Sequence, residues 1–210
     1  MIDEKRLQLK QEAVNLNRLT EAAVTELRLF FSMRHQELVL NLDETIPTIS
    51  GDSLRLNQLL SNVLGNAIKF TPDGGKITVT SSAKYLLRGR QADVEPSNES
   101  GNRQQHLYVE LTIADTGIGI DRDDQMRIFE KFYEAGNIEE HSSGKVAFKS
   151  KGAGLGLAIA KGIAQMHGGE IWVDSAGYSA EKCPGSTFHI LLPVKPPLQE
   201  ASMDYIGLLR

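Results

Sequence analysis

Residues 52–75, DSLRLNQLLSNVLGNAIKFTPDGG, constrain this chain more than any other stretch. Asp52 reads as an N-cap before a helical pattern, and Pro72 with Asp73-Gly74-Gly75 closes it. Leu56, Leu59, Leu60, Val63, Leu64 and Ala67 recur at helical spacing, a wide apolar stripe that has to be buried. Asn62 and Asn66 stand four apart and share a face, and Lys69 with Phe70 falls one turn further along. Asparagine is a middling helix former because its amide competes for backbone hydrogen bonds. Two of them inside an apolar run have two readings. They lie at the solvent edge of an amphipathic helix, or they line a pocket and coordinate something polar.

The chain of 210 residues is long enough for one substantial core. Its formal charge of -4, from 23 basic and 27 acidic side chains, argues against a general nucleic-acid binder but leaves room for a local phosphate site. Cys183 is the only cysteine, which excludes an internal disulfide framework and a cysteine-rich metal cluster and fits a reducing compartment. No run approaches the roughly 20 apolar residues of a membrane span, and no signal-peptide pattern is visible. A cytoplasmic domain without membrane insertion is expected, cut from a longer protein whose own membrane anchoring the residues leave open.

Around the asparagine helix, periodicity places the other elements. Residues 3–14 read as a short strand or the tail of a preceding helix. Asn15 caps a helix with Leu19, Ala23, Leu27, Phe30 and Phe31 on its apolar face. Leu38, Leu40 and Leu42 alternate as a strand, as do Ile77 and Val79 after the Gly-Gly turn. Residues 88–106 are polar, with Pro and Gly, and read as a variable hairpin insertion. A strand over 107–114 follows. Helix 154–167 is expected to turn Leu155, Leu157, Ala158, Ile159, Ile163 and Met166 to the core. Strands over 170–175 and 186–192 complete a mixed, mainly antiparallel sheet with helices on one face, an α/β sandwich.

Two glycine runs frame a second long irregular region, about 134–151. Asp115-Thr116-Gly117-Ile118-Gly119-Ile120 follows a strand directly, where glycines permit a tight reversal and close approach to a ligand. An ionised Asp115 offers acceptors only, which suits the exocyclic amine of a purine. As a plain structural turn the run reads equally well. Gly152-Ala153-Gly154-Leu155-Gly156-Leu157 opens a helix, where backbone N–H groups make an anion site. It matches neither a dinucleotide fingerprint nor a P-loop, since no G-K-[ST] closes it. Lys145, Lys149 and Lys151 approach the same helix start, either as phosphate-directed cations or as a basic solvated loop. Between the runs, Phe129, Phe132 and Tyr133 suggest an apolar latch at the base of the loop, or ordinary core packing.

In order and spacing, Asn62-x-x-x-Asn66-x-x-Lys69-Phe70-Thr71, Asp115-x-Gly117-x-Gly119, Phe129-x-x-Phe132 and Gly152-x-Gly154-x-Gly156 resemble the N, G1, F and G2 boxes of sensor histidine kinases. The phrases Gly51-Asp52-x-x-Arg55-Leu56, His167-Gly168-Gly169 and Gly185-Ser186-x-Phe188 fit as well. The resemblance covers nearly the whole chain. It implies a two-layer α/β sandwich of the Bergerat type with a catalytic ATP-binding domain over 12–194. Residues 1–11 would end a linker from dimerisation helices, 134–151 would be the ATP lid, and 195–210 a C-terminal tail. By resemblance, Asn66 would hold Mg2+ bridging the ATP phosphates, Asn62 would lie beside them, and Lys69 would contact phosphate. Phe70 would pack near the adenine, and Asp115 would accept from its N6, partly through a water shared with Thr71. Gly117 and Gly119 would shape the adenine floor with Ile120, and Phe132 would border the pocket. Gly152, Ala153, Gly154, Leu155, Gly156 and Leu157 would close on the phosphates, with Lys145, Lys149 or Lys151 supplying charge.

In hydrolases of this fold a glutamate that prepares water holds the first position of the paired motif. Asn62 stands there, and an amide is no general base at neutral pH. Transfer to a histidine needs positioning and charge neutralisation more than a base, because neutral imidazole already has a lone pair. The resemblance therefore implies a protein histidine kinase domain. Its partners would be a histidine-containing dimerisation domain and, indirectly, a response-regulator receiver domain. His35, His106, His141, His167 and His189 all lack the helical setting of a phosphoacceptor. The alternatives are a noncatalytic nucleotide-sensing or docking module of the same fold and an anti-sigma-type serine kinase.

Overall fold

The computed structural model describes residues 9–87, 105–133 and 154–195. In chain order the elements are β1 (Glu12–Val14), α1 (Leu16–Met33), β2 (Glu37–Leu42), β3 (Ile49–Gly51), α2 (Ser53–Phe70), β4 (Lys76–Leu87) and β5 (Gln105–Asp115). A 3-10 turn (Arg127–Phe129), α3 (Gly156–Met166), β6 (Glu170–Asp174) and β7 (Ser186–Pro193) follow. Five strands form one sheet in the order β2-β4-β5-β7-β6, with β2 parallel to β4 and every other pair antiparallel. β1 and β3 make a separate antiparallel ribbon. None of the described helices is long and apolar enough to cross a membrane.

Strand alternation separates the two faces. Ile77, Val79, Val109, Leu111, Ile113, Ile171, Val173, Phe188, Ile190 and Leu192 point one way and are buried with the helices in one core. Their neighbours Thr78, Thr80, Thr112, Trp172 and His189 point the other way and are only half-buried. Of the expected strand triplet, Leu38 and Leu42 are half-buried and Leu40 exposed, because β2 is a sheet edge. Strand pairing continues to Leu87↔Gln105, so Gln105 and His106 extend β5 and do not belong to the polar insertion.

The helices end where local chemistry ends them. Asn15 Oδ1 accepts from Arg18 N at 3.1 Å to start α1, and Asp52 Oδ1 accepts from Arg55 N at 3.1 Å to start α2. Along α2, Leu56, Leu59, Leu60, Val63, Leu64, Ala67 and Ile68 are all at most 1% exposed. Each large side chain contributes about 1.5–3 kcal/mol by burial. Docking of this stripe therefore outweighs the weak helix propensity of Asn62, Gly65 and Asn66.

α3 departs from expectation. It spans Gly156–Met166, and the side it buries carries Ala160, Ile163 and Ala164. Ile163 is buried and Leu157 packs against the core as expected, whereas Ile159 and Met166 are 39% and 36% exposed and Leu155 and Ala158 are half-buried. Lys161 and Gln165, four apart, mark a polar side, but the helix carries more apolar residues than its buried side holds, so Ile159 and Met166 fall outside it. The small Ala160 and Ala164 admit close approach of a neighbour, and that approach makes the choice.

His167, directly after α3, ties the layers together. It is 2% exposed, its Nδ1 lies 2.8 Å from Ile163 O, and its Nε2 accepts from Asp52 N at 2.9 Å. Nδ1 therefore carries the proton, and the ring must stay neutral to accept at Nε2. A Cβ on Gly51 would lie 2.8 Å from its Cδ2, so glycine is required there. Burial pulls the His167 pKa below its ordinary value. Stability from this ring is thus fully present above about pH 6.5 and lost as pH falls through the depressed folded value. His167→Ala is expected to cost about 1–3 kcal/mol by leaving Asp52 N–H unpaired, and to flatten the acid side of the stability profile. Chemical denaturation at pH 7.5 and 5.5 checks both, and an unchanged profile would remove the assignment.

Candidate functional site

The second half of α2, the turn after β5 and the start of α3 converge. Asn62 is half-buried, and its Nδ2 is fully buried with no partner among the described residues. The Cβ position of Gly156 lies 3.7 Å from Asn62 Cγ and Oδ1, so α3 starts directly over this amide. α3 has no side-chain cap at its N-terminus, which leaves its first N–H groups available to an acceptor. Asn66, one turn on, is half-buried and takes no side-chain partner among the described residues. Lys69 Nζ lies 4.9 Å from the Phe70 ring centroid, a cation held over the aromatic face. Thr71 is fully buried and its Oγ1 has no partner among the described residues.

The turn after β5 is joined to α2 through backbone. Ile118 N donates to Phe70 O at 3.2 Å. A Cβ on Gly117 would lie 2.5 Å from Asp115 Oδ1 and 2.6 Å from Phe70 O, so any side chain would part the two motifs. Asp115 Oδ1 accepts from Gly117 N at 2.8 Å, and its other oxygen is not committed to the same donor. Burial pushes the Asp115 carboxyl up to about 6, against hydrogen bonds from the Gly117 and Ser186 backbones that favour its ionised form. Gly119 (φ 76°) belongs to a different contact: its Cβ would lie 2.0 Å from Gly177 O. This glycine lets the 175–185 loop pack, and Ile120 N donates to Ser175 Oγ at 3.0 Å beside it. Ile120 is half-buried against the core.

The three aromatics before the long loop divide. Phe129 is buried and meets Phe188 edge-on at 6.5 Å. Tyr133 donates to Asp124 Oδ1, and Arg127 lies 4.3 Å over its ring. Phe132 is 72% exposed, with φ 62°, so it takes no part in an apolar latch. Its N–H donates to Gly154 O at 3.1 Å, which brings the two flanks of the long loop together. Gly154 (φ 63°) packs on the Phe132 and Tyr133 backbones. Lys145, Lys149, Lys151, Gly152, Ala153 and His141 lie outside the described residues.

Sequence reasoning passed over Ser186 as a site residue. It is buried, pairs in register with Asp115, and lines a cavity of about 340 Å³ with Asp115, Gln125, Ser175 and Thr187. The phrase Gly185-Ser186-x-Phe188 marks this residue in the sequence, but only pairing between strands that lie 71 positions apart sets it beside Asp115.

Comparison with known proteins decides the class. Residues 51–196 match the family model described as histidine kinase-, DNA gyrase B- and HSP90-like ATPase. The chain belongs to this family. It is 31% identical over 189 residues to the adaptive-response sensory kinase SasA of Thermosynechococcus vestitus, covering 90% of this chain and 41% of that protein. It is 35% identical over 144 residues to the autoinducer 2 sensor kinase/phosphatase LuxQ of Vibrio vulnificus, covering 69% and 14%. Among solved structures, the mycobacterial sensor histidine kinase MprB superposes with a TM-score of 0.62 at 28% identity, covering 90% of this chain and all of that one. ShkA in complex with AMPPNP gives 0.64 at 25% identity over 92% of this chain and 33% of that one. The chain thus spans about two fifths of the SasA relative it matches. The mixed sheet with helices on one face is the fold of histidine kinase ATPase domains.

The residues present suit the ligand of an ATPase of this family. Asn62 Nδ2 and Thr71 Oγ1 are buried polar atoms with no partner among the described residues, which is costly unless a ligand or water satisfies them. The amide of Asn66, without a partner among the described residues, has the oxygen chemistry that Mg2+ takes from a protein, usually one or two ligands alongside phosphate and water.

Proposed function

We propose that this domain binds Mg-ATP and transfers the γ-phosphoryl group to a histidine on a separate dimerisation domain, for relay to a response-regulator receiver domain. One observation carries the reading. The position beside the start of α3 is held by an amide, Asn62, whose Nδ2 is buried with no partner among the described residues. An amide there orients a phosphate oxygen and abstracts no proton from water, which supports transfer over hydrolysis.

In this reading Asn66 holds the metal through its side-chain oxygen, and Mg2+ supplies charge neutralisation at the phosphates. Lys69 adds a second positive charge, and the uncapped N–H groups of α3 supply acceptor-seeking donors. Asp115 accepts from the adenine amine, with Thr71 and Ser186 as its polar neighbours. Phe70, Gly117, Ile120, Phe132, Leu155 and Leu157 bound the nucleotide, with Gly152, Ala153 and the lysines of 134–151 as proposed closing groups. The incoming imidazole attacks the γ-phosphorus with its lone pair, the bond to the β,γ-bridging oxygen breaks, ADP leaves, and the spare imidazole proton passes to solvent.

The test is incubation with Mg-[γ-32P]ATP and a two-helix peptide bearing a histidine followed by an acidic residue. Acid-labile, alkali-stable label on the peptide is the expected result. Labelled inorganic phosphate alone would indicate a hydrolase. Nucleotide binding without turnover would indicate a sensing module, and acid-stable label on a serine partner the anti-sigma type of kinase.

A further inference from the structure

The turn between α1 and β2 meets the end of α2 through two buried polar side chains. Arg34 is 3% exposed and Gln36 is 8% exposed. Arg34 Nε donates to Asp73 Oδ1 at 2.8 Å, and its Nη1 donates to Ile68 O and to Lys69 O, the latter at 3.0 Å. Gln36 Nε2 donates to Ile68 O at 3.1 Å and to Thr71 O at 2.8 Å. Backbone bonds run alongside, Gly74 N to Arg34 O at 3.0 Å and Glu37 N to Gly75 O at 2.8 Å. His35, with φ 51°, turns the chain between the two side chains so that both reach the same helix end.

A helix ends with carbonyls that have no partner inside it. In α2 those of Ile68 and Lys69 go to Arg34 and Gln36, that of Phe70 goes to Ile118 N, and the following Thr71 carbonyl goes to Gln36. A left-handed glycine or asparagine commonly ends a helix with far less buried polarity. Here a guanidinium is desolvated, and Arg34 Nη2 and Gln36 Oε1 are buried with no partner among the described residues. Such a termination is a poor device for stability alone. What it secures is geometry. Charge-assisted, forked hydrogen bonds fix carbonyl directions more tightly than a water or a lone cap does. The carbonyls they fix belong to Lys69, Thr71 and the residue preceding Lys69.

We propose that Arg34 and Gln36 are positioning residues for nucleotide binding: through the end of α2 they orient Lys69 and Thr71 at the site without touching the nucleotide. The inference rests on the nucleotide-binding reading above. The test is calorimetric titration of the wild type, Arg34→Lys and Gln36→Met with Mg-AMPPNP, together with thermal melts of each. The expected result is a Kd raised about tenfold at unchanged stoichiometry in each variant. A melting temperature that falls while Kd stays within about twofold of wild type would overturn the proposal, since a purely structural clamp leaves the folded fraction binding normally. Should Arg34→Lys not fold, Gln36→Met decides by the same criterion, because it removes the hydrogen bonds of Nε2 to Ile68 O, Thr71 O and Pro72 O and no charge. A wild type that does not bind Mg-AMPPNP overturns the nucleotide reading itself, whereas unchanged Kd values beside a binding wild type overturn the clamp alone.

Discussion

Asn66→Ala is expected to abolish the Mg2+-dependent part of nucleotide binding while leaving the fold in place. Loss of even an outer-sphere partner of a metal commonly weakens affinity about 10–100-fold, and removal of a direct ligand should reach the top of that range or beyond. The stability change should stay near ±0.5 kcal/mol. Asn66 is half-buried, its amide takes no partner among the described residues, and alanine is the better helix former. Calorimetric titration of both proteins with AMPPNP, with and without Mg2+, reads the first quantity, and urea unfolding reads the second. A large unfolding penalty would place the amide in the structural core. Metal-dependent binding that survives in the variant would move the metal site elsewhere.

Asp115→Asn should weaken adenine-nucleotide binding by about 10–150-fold, the range of a hydrogen bond to a charged group. One amide atom can still accept from Gly117 N, but the other then presents a donor to the purine amine. The pH dependence separates recognition from folding. The folded carboxyl sits at about 6 because of burial, above its ordinary value near 3.9. Stability linked to this group is therefore fully present below about pH 3.9 and lost as pH rises through about 6, at a cost on the order of 3 kcal/mol in the ionised state. Binding runs the opposite way, since the acceptor on the adenine amine is the carboxylate. Wild-type affinity for ATP should fall as pH drops below about 6, and the variant should be insensitive there and no less stable at pH 7. Equal affinity of the wild type for ATP and GTP would remove the adenine role from Asp115.

Much of this was legible in one dimension. The apolar stripe of α2, its Asp52 cap and its closing turn are local patterns, and local backbone preference and burial both favour them. The spacing of the paired asparagines, the two glycine runs and the aromatic segment carried the family resemblance that the match over residues 51–196 then supported. Less legible was α3. Its polar Lys161 and Gln165 mark one side, but its apolar residues outnumber the places on the buried side, and Ile159 and Met166 ended on the outside. Phe132 reads like its neighbour Phe129 in sequence, yet a left-handed backbone turns it to solvent.

The sequence by itself determined where the three helices and the central part of each sheet strand form, because periods of two and 3.6 residues are properties of the local backbone, whereas β3 and the start of β5 at Gln105 come from pairing with distant strands. It also determined the chemistry on offer: two amides, a lysine, a carboxylate and runs of glycine. Only the tertiary structure decided how these groups are held. Register between distant strands set Ser186 opposite Asp115, and packing of α3 on α2 put Gly156 over Asn62. Folding of the α1–β2 turn buried Arg34 and Gln36 against the α2 carbonyls. Burial then moved the carboxyl of Asp115 and the imidazole of His167 away from their ordinary protonation ranges, through desolvation that no residue carries in its own identity.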